Sequence, residues 1–397
     1  MIMDHLEYCI IKYGTPSYLF DIDKMKDTVG KFREALGGKA GLCFAMKANP
    51  FLTKQMETQA DRLEVCSMGE FRICKKQGIA PEKLLISGVL KEKEDVYEIL
   101  DTYGGRCTYT IESLDQYQSF ADWCGRKEKP VPVYLRLTSG NQFGMDEETI
   151  YNIIKIRDMC PYLNILGIHY FSGTQKKHAG KIKEELDYLD QFLRKMEERT
   201  GFQLEQLEYG PGLSVPYFRG QEDHRDSDLN ELVRAVEGME WKGSVMLEMG
   251  RALAADCGYY LTSVKDIKQS NGRRYCIVDG GIHHLNYDGQ IRGMYEPVFR
   301  VWPEKQFLTP RQEQNFQWTV CGSLCTVNDV LMQKAQIRNL KAGNVLIFER
   351  AGAYAMTEGM ALFLSHELPK VLLYSREMGW NPVRERIQTY HWNTENL

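Results

Sequence analysis

The sequence contains no C-x-x-C pair, no H-E-x-x-H motif and no apolar run approaching the roughly 18 residues that span a bilayer. Its 11 cysteines are an odd number spread along the chain, which argues against a disulfide framework or a structural zinc site and for small core hydrophobes. Among eight histidines, the pair His283 and His284 has no ligand spacing around it, so no metal is expected. A basic excess is also missing: 50 Lys and Arg face 54 Asp and Glu, a net charge of -4, which excludes nucleic-acid binding by phosphate neutralisation. The opening MIMDHLEYCIIKYG lacks the basic start and apolar core of a secretory signal, so the cytoplasm is the expected location, away from any membrane. At 397 residues the chain is too long for one average domain and too short for three.

What is present is alternation. SYLFDI, GLCFAMK, RLEVCS, KLLISG, CTYTI, VPVYLRL, NILGIHYFSG, QLEYGPG and SVMLEMG read as buried strands ending in polar or glycine-rich residues. Helical stretches lie between them, such as DKMKDTVGKFREAL and GKIKEELDYLDQFLRKMEERTG, the second closing on Gly201 as a C-cap. Repeated strand-then-helix units build a parallel sheet, and about eight close into a barrel. The fold class is therefore α/β: a (β/α)8 TIM-like barrel over residues 17–260. An all-β sandwich or small barrel follows over residues 261–397, joined by residues 1–16. Within it, Asn271-Gly272 between two strand-like runs predicts a hairpin.

Such a barrel carries its chemistry at the C-terminal ends of its strands. Lys47, closing GLCFAMK, is either a lysine on a solvated strand edge or an amine whose pKa falls as it loses hydration, available as a nucleophile or Schiff-base partner. The strand ends SGTQ, YGPGL and EMGR can turn backbone N–H groups toward one anion, with Thr174 adding a hydroxyl and Arg251 a bidentate charge; singly, each is an ordinary turn. Glu248, so close to an apolar strand, needs a partner. Cys325 in CGSLCTVND reads alone as one more buried thiol, and Tyr354 in AGAY as core or phosphate ligand.

Taken in order, these segments resemble the fold-type III pyridoxal-phosphate decarboxylases, the group that holds diaminopimelate, ornithine and arginine decarboxylases and is related to alanine racemase. The resemblance runs from TPSYLFD to AGAY. FAMKANP is similar to the K-A-N-x block, LEVCSMGEF to D-V-x-S-x-G-E-L, and GIHYFSGTQ to G-x-H-x-H-x-G-S-Q. YGPGL is similar to the triple-glycine loop, LEMGR to E-P-G-R, and CTVND stands where C-E-S-x-D or C-D-x-x-D occurs. It implies pyridoxal 5'-phosphate as cofactor, held covalently by Lys47. Thr174, Gly210, Gly212, Gly250, Arg251 and Tyr354 would surround the phosphate, Arg136 and His169 would join the cofactor-binding set, and Glu248 would face the pyridine nitrogen. An arginine takes that place in the racemases, so Glu248 favours decarboxylation. Cys325 would reach across a homodimer interface as proton donor, giving shared active sites.

The departures carry as much information. Phe171 stands where a histidine stacks on the cofactor ring, keeping an aromatic face without a proton or charge; His169 lies two residues earlier on the same side of the strand. Pro211 replaces the middle glycine of the phosphate loop and removes one backbone donor. Thr326 replaces the acidic residue that meets a dibasic substrate's far ammonium group, and it supplies no charge. Arg292 and Tyr295 lie near the family's carboxylate-binding pair; with Arg251, Thr326 and Asp329 they form the expected substrate set. The expected activity is α-decarboxylation of an acidic amino acid or of an aminoacyl group on a carrier protein. A racemase of the same fold and a non-catalytic cofactor-binding or protein-binding homologue are the alternatives.

Overall fold

Seventeen strands lie among the described residues, and which of them pair was not evident from their composition. The computed structural model describes residues 2–177, 179–303 and 315–395. In chain order the strands are β1 (Ser17–Asp21), β2 (Ala40–Ala45), β3 (Arg62–Val65), β4 (Leu84–Ile86), β5 (Thr108–Ile111) and β6 (Val131–Arg136). Then come β7 (Leu163–Phe171), β8 (Gln206–Gly210), β9 (Ser244–Met249), β10 (Gly258–Ser270), β11 (Arg273–Val278) and β12 (Phe299–Trp302). The last five are β13 (Asn315–Cys321), β14 (Val330–Arg338), β15 (Val345–Phe348), β16 (Lys370–Ser375) and β17 (Gly379–Arg384). No helix among the described residues is long and apolar enough to cross a membrane.

Two compact units result. Thr28–Val215 with Asp223–Leu253 forms the first, in which β2 to β9 close into an eight-stranded parallel barrel. Because side chains alternate along a strand, one set of positions faces inward on each: Arg62 and Glu64 on β3, Tyr134 and Arg136 on β6, Gln206, Glu208 and Gly210 on β8, Met246 and Glu248 on β9. Parallel pairing aligns Arg136 with His169, His169 with Glu208, and Cys43 with Glu248, so the charged inward positions share neighbouring layers. Gly167 follows a register shift between β6 and β7, and a methyl group there would collide with the Gln206 backbone; the close approach requires glycine.

Two helix starts are built alike. Ser67 accepts from Glu70 N while the Glu70 carboxylate takes Cys66 N, and Ser113 accepts from Gln116 N while the Gln116 side chain takes Glu112 N. In both, S-x-x-E/Q spacing caps a helix and at the same time fixes the residue just past a strand end, at the barrel mouth.

The second unit contains the chain up to Asp27, Pro216–Glu222 and the chain from Ala254. Its mostly-β sheet runs β14-β13-β11-β10-β1-β16-β17, with β15 pairing β10 and β12. Here the sequence expectation for SYLFDI is corrected: β1 is no barrel strand but lies antiparallel to β10 and parallel to β16. A short strand with an apolar centre, such as SYLFD, reads the same in either setting, and only its partners distinguish them. Leu6, Cys9 and Ile10 of the first helix pack with Leu19, Leu261, Ile347 and Leu372 in this unit's core. The predicted hairpin joins β10 to β11, with positive φ at both Asn271 (50°) and Gly272 (73°), as a primed two-residue turn requires.

The same unit holds its two adjacent histidines neutral. The rings of His283 and His284 are 3.8 Å apart and both are buried; neither His283 nitrogen has a hydrogen-bond partner among the described residues. Burial, then the neighbouring imidazoles, pushes His283 down to about 3; burial likewise brings His284 to about 4. The unfolded chain binds these protons near pH 6.5, so it takes up more protons than the native state as pH falls from 6.5 toward 4, and stability is lost in that window. Urea unfolding should show a loss of roughly 5 kcal/mol between pH 7 and 4.5, about half of it from each histidine. The variant His283→Leu should flatten this dependence; an unchanged slope would refute the assignment.

Candidate active site

Lys47 leaves the barrel wall on a short 3-10 turn, Met46–Ala48, and Asn49 caps the next turn by accepting from Phe51 N at 3.1 Å, with Pro50 opening it. The A-N-P that follows the lysine is thus a turn device that aims it. Its Nζ lies 2.5 Å from Glu64 Oε2, 3.6 Å from Glu248 Oε1 and 3.5 Å from Cys66 Sγ. The lysine side chain is 38% exposed whereas both carboxylates are buried, so its setting is a cleft between two carboxylates and not the simple loss of hydration expected from sequence.

Glu248 is the hub. Its Oε2 lies 2.9 Å from His169 Nε2, and both side chains are buried. Burial alone would raise its pKa, but Lys47, the His169 hydrogen bond and Arg136 outweigh that and hold the carboxyl well below the usual range. An ionised carboxylate only accepts, so the proton between them sits on His169 Nε2. His169 Nδ1, Arg136 Nε and Ser87 Oγ are buried without protein partners among the described residues. Arg136 closes β6 with Nη1 3.0 Å from Glu112 Oε1 and its guanidinium 4.7 Å from the Phe143 ring centre. One layer deeper, Arg62 bridges Glu208, Gln206 and the Tyr134 hydroxyl, and burial pushes Glu208 up to about 8.

The glycine-rich strand ends meet. Lys176 N donates to Gly212 O at 2.9 Å, and the Gln175 amide bonds both Val215 N (2.7 Å) and Val215 O (3.2 Å). Glu185 gathers the Ser172 hydroxyl (2.6 Å), Lys176 Nζ (2.5 Å) and the Tyr209 hydroxyl (2.8 Å) behind them. Gly212 has φ +65° and faces the Gly173 carbonyl so closely that a methyl group has no room; one at Gly210 would strike the Phe171 ring. Thr174 is exposed on this loop, and Gly250 and the buried Arg251 open the short helix after β9.

The remaining expected residues lie in the sheet unit. Cys325 is exposed, correcting the plain reading of a buried thiol. Beside it, the Thr326 hydroxyl accepts from Asn328 N at 3.3 Å. Asp329 is buried, its Oδ1 accepts from Ile282 N (2.9 Å) and its Oδ2 from Leu324 N (2.8 Å), and it sits against Gly281 and Gly322. Its carboxylate organises the turn because two backbone N–H groups lack other partners there. Arg292 is exposed at φ +49°, Tyr295 packs on Phe218 with ring centres 5.1 Å apart, and Tyr354, at φ +63°, accepts from Thr357 N and Glu358 N.

The barrel therefore brings together Lys47, Glu248, His169 and Arg136 at its mouth, and Phe171, Gly210 and Gly212 on adjoining strand ends. Sequence reasoning missed Glu64, Cys66, Lys91 and Glu112. The signal for Glu64 was there: a carboxylate inside the apolar strand RLEV raises the same question that singled out Glu248.

The donor set suits a phosphorylated aldehyde cofactor. It offers a primary amine between carboxylates, an ionised acid supported by histidine, unsatisfied buried donors, and two stapled loops with no space for side chains. A barrel with this mouth, followed in the chain by a β-sheet unit, defines a pyridoxal-phosphate enzyme of the decarboxylase type. Residues 17–352 match the family described as "Pyridoxal-dependent decarboxylase, C-terminal sheet domain", and the chain belongs to it. It is a pyridoxal-phosphate-dependent carboxy-lyase of that family. Among similar proteins is the L-glutamyl-[BtrI acyl-carrier protein] decarboxylase of Niallia circulans, 25% identical over 91% of this chain and 89% of its own. The diaminopimelate decarboxylase of Aquifex aeolicus is 24% identical over 86% and 82%. The solved diaminopimelate decarboxylase of Methanocaldococcus jannaschii superposes with a TM-score of 0.84 at 22% identity, covering 96% of this chain and 92% of that one.

Proposed function

We propose that the chain removes the α-carboxylate of an acidic amino acid or of an aminoacyl group tethered to a carrier protein, and does not act on diaminopimelate, ornithine or lysine. The observation that carries this reading is the 325–329 turn. Thr326 offers an uncharged hydroxyl already accepting a backbone N–H, and Asp329 is buried with a backbone N–H on each oxygen, so the turn presents no exposed carboxylate to a distal ammonium. The similarity to a carrier-protein glutamyl decarboxylase points the same way.

When bound, pyridoxal 5'-phosphate withdraws electrons from the substrate's α-carbon so that the bond to the departing carboxylate breaks. The chain's own residues supply the rest. Lys47 Nζ holds the cofactor, and Glu64 Oε2 at 2.5 Å is placed to take and return the amine proton. Glu248, kept ionised, would hold a proton on the cofactor's ring nitrogen, with His169 fixing the carboxylate's orientation. The loops carrying Thr174, Gly210, Gly212, Gly250 and Arg251 would form the anion cup and Phe171 would give an apolar face, and the resemblance adds Tyr354 to the phosphate ligands. Arg292 and Tyr295 take the substrate's carboxylate end. Cys325 acts as proton donor in a homodimer with shared active sites.

The test is carbon dioxide release from a panel of free amino acids and glutamyl-loaded carrier proteins. Turnover of an acidic or carrier-bound substrate supports the proposal; preference for diaminopimelate or a diamine precursor overturns it. Restoring charge should move specificity: Thr326→Glu is expected to gain at least about tenfold in kcat/KM for a dibasic amino acid, the order of one charged contact. An unchanged ratio of acidic to dibasic turnover would count against the role of this turn.

A further inference from the structure

Beyond the ends of two successive barrel strands lie ionic residues, Lys91 and Glu112, that the reaction as described leaves without a task, and Glu112 joins Lys91 to Arg136 at the end of the third. Lys91 lies on the loop after β4, Glu112 directly follows β5, and Arg136 ends β6. The Lys91 side chain is only 3% exposed, and its Nζ donates to Gly88 O (2.5 Å), Thr110 Oγ1 (3.1 Å) and Gln116 Oε1 (3.3 Å). It also stands 3.7 Å from Glu112 Oε1, the same oxygen that meets Arg136 Nη1 at 3.0 Å. Gln116 ties the cluster to both loops, accepting from Glu112 N and donating to Val89 O at 2.9 Å each.

A fully buried ion cluster is an expensive way to hold a fold, since apolar residues of similar volume commonly do as well. What this one achieves is the immobilisation of a guanidinium. Arg136 is held edge-on by Glu112 and face-on by Phe143, with Nε still unsatisfied, and it acts electrostatically on Glu248. The amine of Lys91 cannot itself touch a substrate, because it is turned toward carbonyl and side-chain oxygens. Burial pushes it down to about 8, with Glu112 and Cys66 opposing the shift and Arg136 adding to it.

We propose that Lys91 and Glu112 are positioning residues that lock Arg136 at the barrel mouth and set the charge balance felt at Lys47. This rests on the reading of Lys47 as the cofactor lysine. The ionisable groups acting on Lys47 include Glu64, Cys66, Glu248 and Glu70, with Glu248 in turn facing His169 and Arg136; the triad adds one anion and two cations to that set.

The experiment is a pH titration of the visible band of the cofactor-loaded enzyme in wild type, Lys91→Met, Glu112→Gln and the double variant. Loss of the Lys91 charge makes the mouth more negative and favours the protonated nitrogen at Lys47, so the midpoint rises by about half a pH unit or more. Loss of the Glu112 charge lowers it comparably, and the double variant returns close to wild type. A purely structural role would lower unfolding midpoints without opposite spectral shifts, and single-variant shifts of the same sign, or none, overturn the proposal. If Lys91→Met does not fold, the double variant must still titrate above Glu112→Gln; equality overturns it. No band in the wild type would overturn the cofactor reading itself, whereas a normal band with unmoved midpoints defeats only this inference.

Discussion

Lys47→Ala is expected to abolish the visible cofactor band and to reduce carbon dioxide release by at least about 10³-fold, because one atom serves both as tether and as proton carrier. The same substitution has a second consequence. With Nζ gone, Glu64 and Glu248 lose the cation they share, from positions 2.5 Å and 3.6 Å from the lost nitrogen. Two carboxylates in that arrangement favour binding a proton between them, so the variant should be destabilised relative to wild type more at pH 8 than at pH 5. The loss is on the order of 1 kcal/mol, since the lysine side chain is 38% exposed and screened. Lys47→Arg separates the roles: the charge returns and most of the stability with it, while the band and the activity stay absent. Chemical denaturation of the three proteins, with absorbance spectra, checks the prediction. Wild-type turnover in Lys47→Arg would defeat the assignment of the primary amine.

The second large effect is at Glu248. Glu248→Gln is expected to retain bound cofactor and to lose about 10² to 10³ in turnover, the usual loss when one charged stabilising group is removed from a buried site. Glutamine keeps the shape and a carbonyl for His169 Nε2, but it cannot hold a proton on the ring nitrogen. The acid limb of the wild-type pH profile should not belong to Glu248. Burial raises its pKa, but Lys47, His169 and Arg136 together depress it further, so it remains ionised down through the usual carboxylate range. Its contribution to stability is present above the unfolded carboxylate value and is lost only as pH falls through the depressed one. A Glu248→Gln enzyme with unchanged kcat, or a wild-type kcat limb removed by this substitution near pH 5, would contradict that.

Much of the barrel mouth was legible before any coordinates. Lys47 and Glu248 stood out because an ionic residue at the end of an apolar strand carries a desolvation cost that something must offset. The glycine loops were visible as three strand ends of one kind. Phe171 and Thr326 were visible as departures from a pattern. His169 was only half read: period-two alternation put it on the side of Phe171, yet its partner, Glu248, lies 79 residues away. Asp329 was read as a candidate contact because its type suited a ligand; that it also holds two backbone N–H groups could not be read from its spacing.

The sequence by itself determined the alternation of strand and helix, that residues two apart on a strand share a face, the hairpin at Asn271-Gly272 and the chemical types available at each strand end. These follow from local rules of backbone period and turn geometry that hold wherever the segment ends up. Only the tertiary structure decided that β1 joins the sheet and not the barrel, that Glu64 stands against Lys47, and that Lys91, Glu112 and Arg136 form one ion cluster. Such pairings depend on which strands lie side by side and on rotamers selected by packing, and neither is encoded in the spacing of residues along one segment.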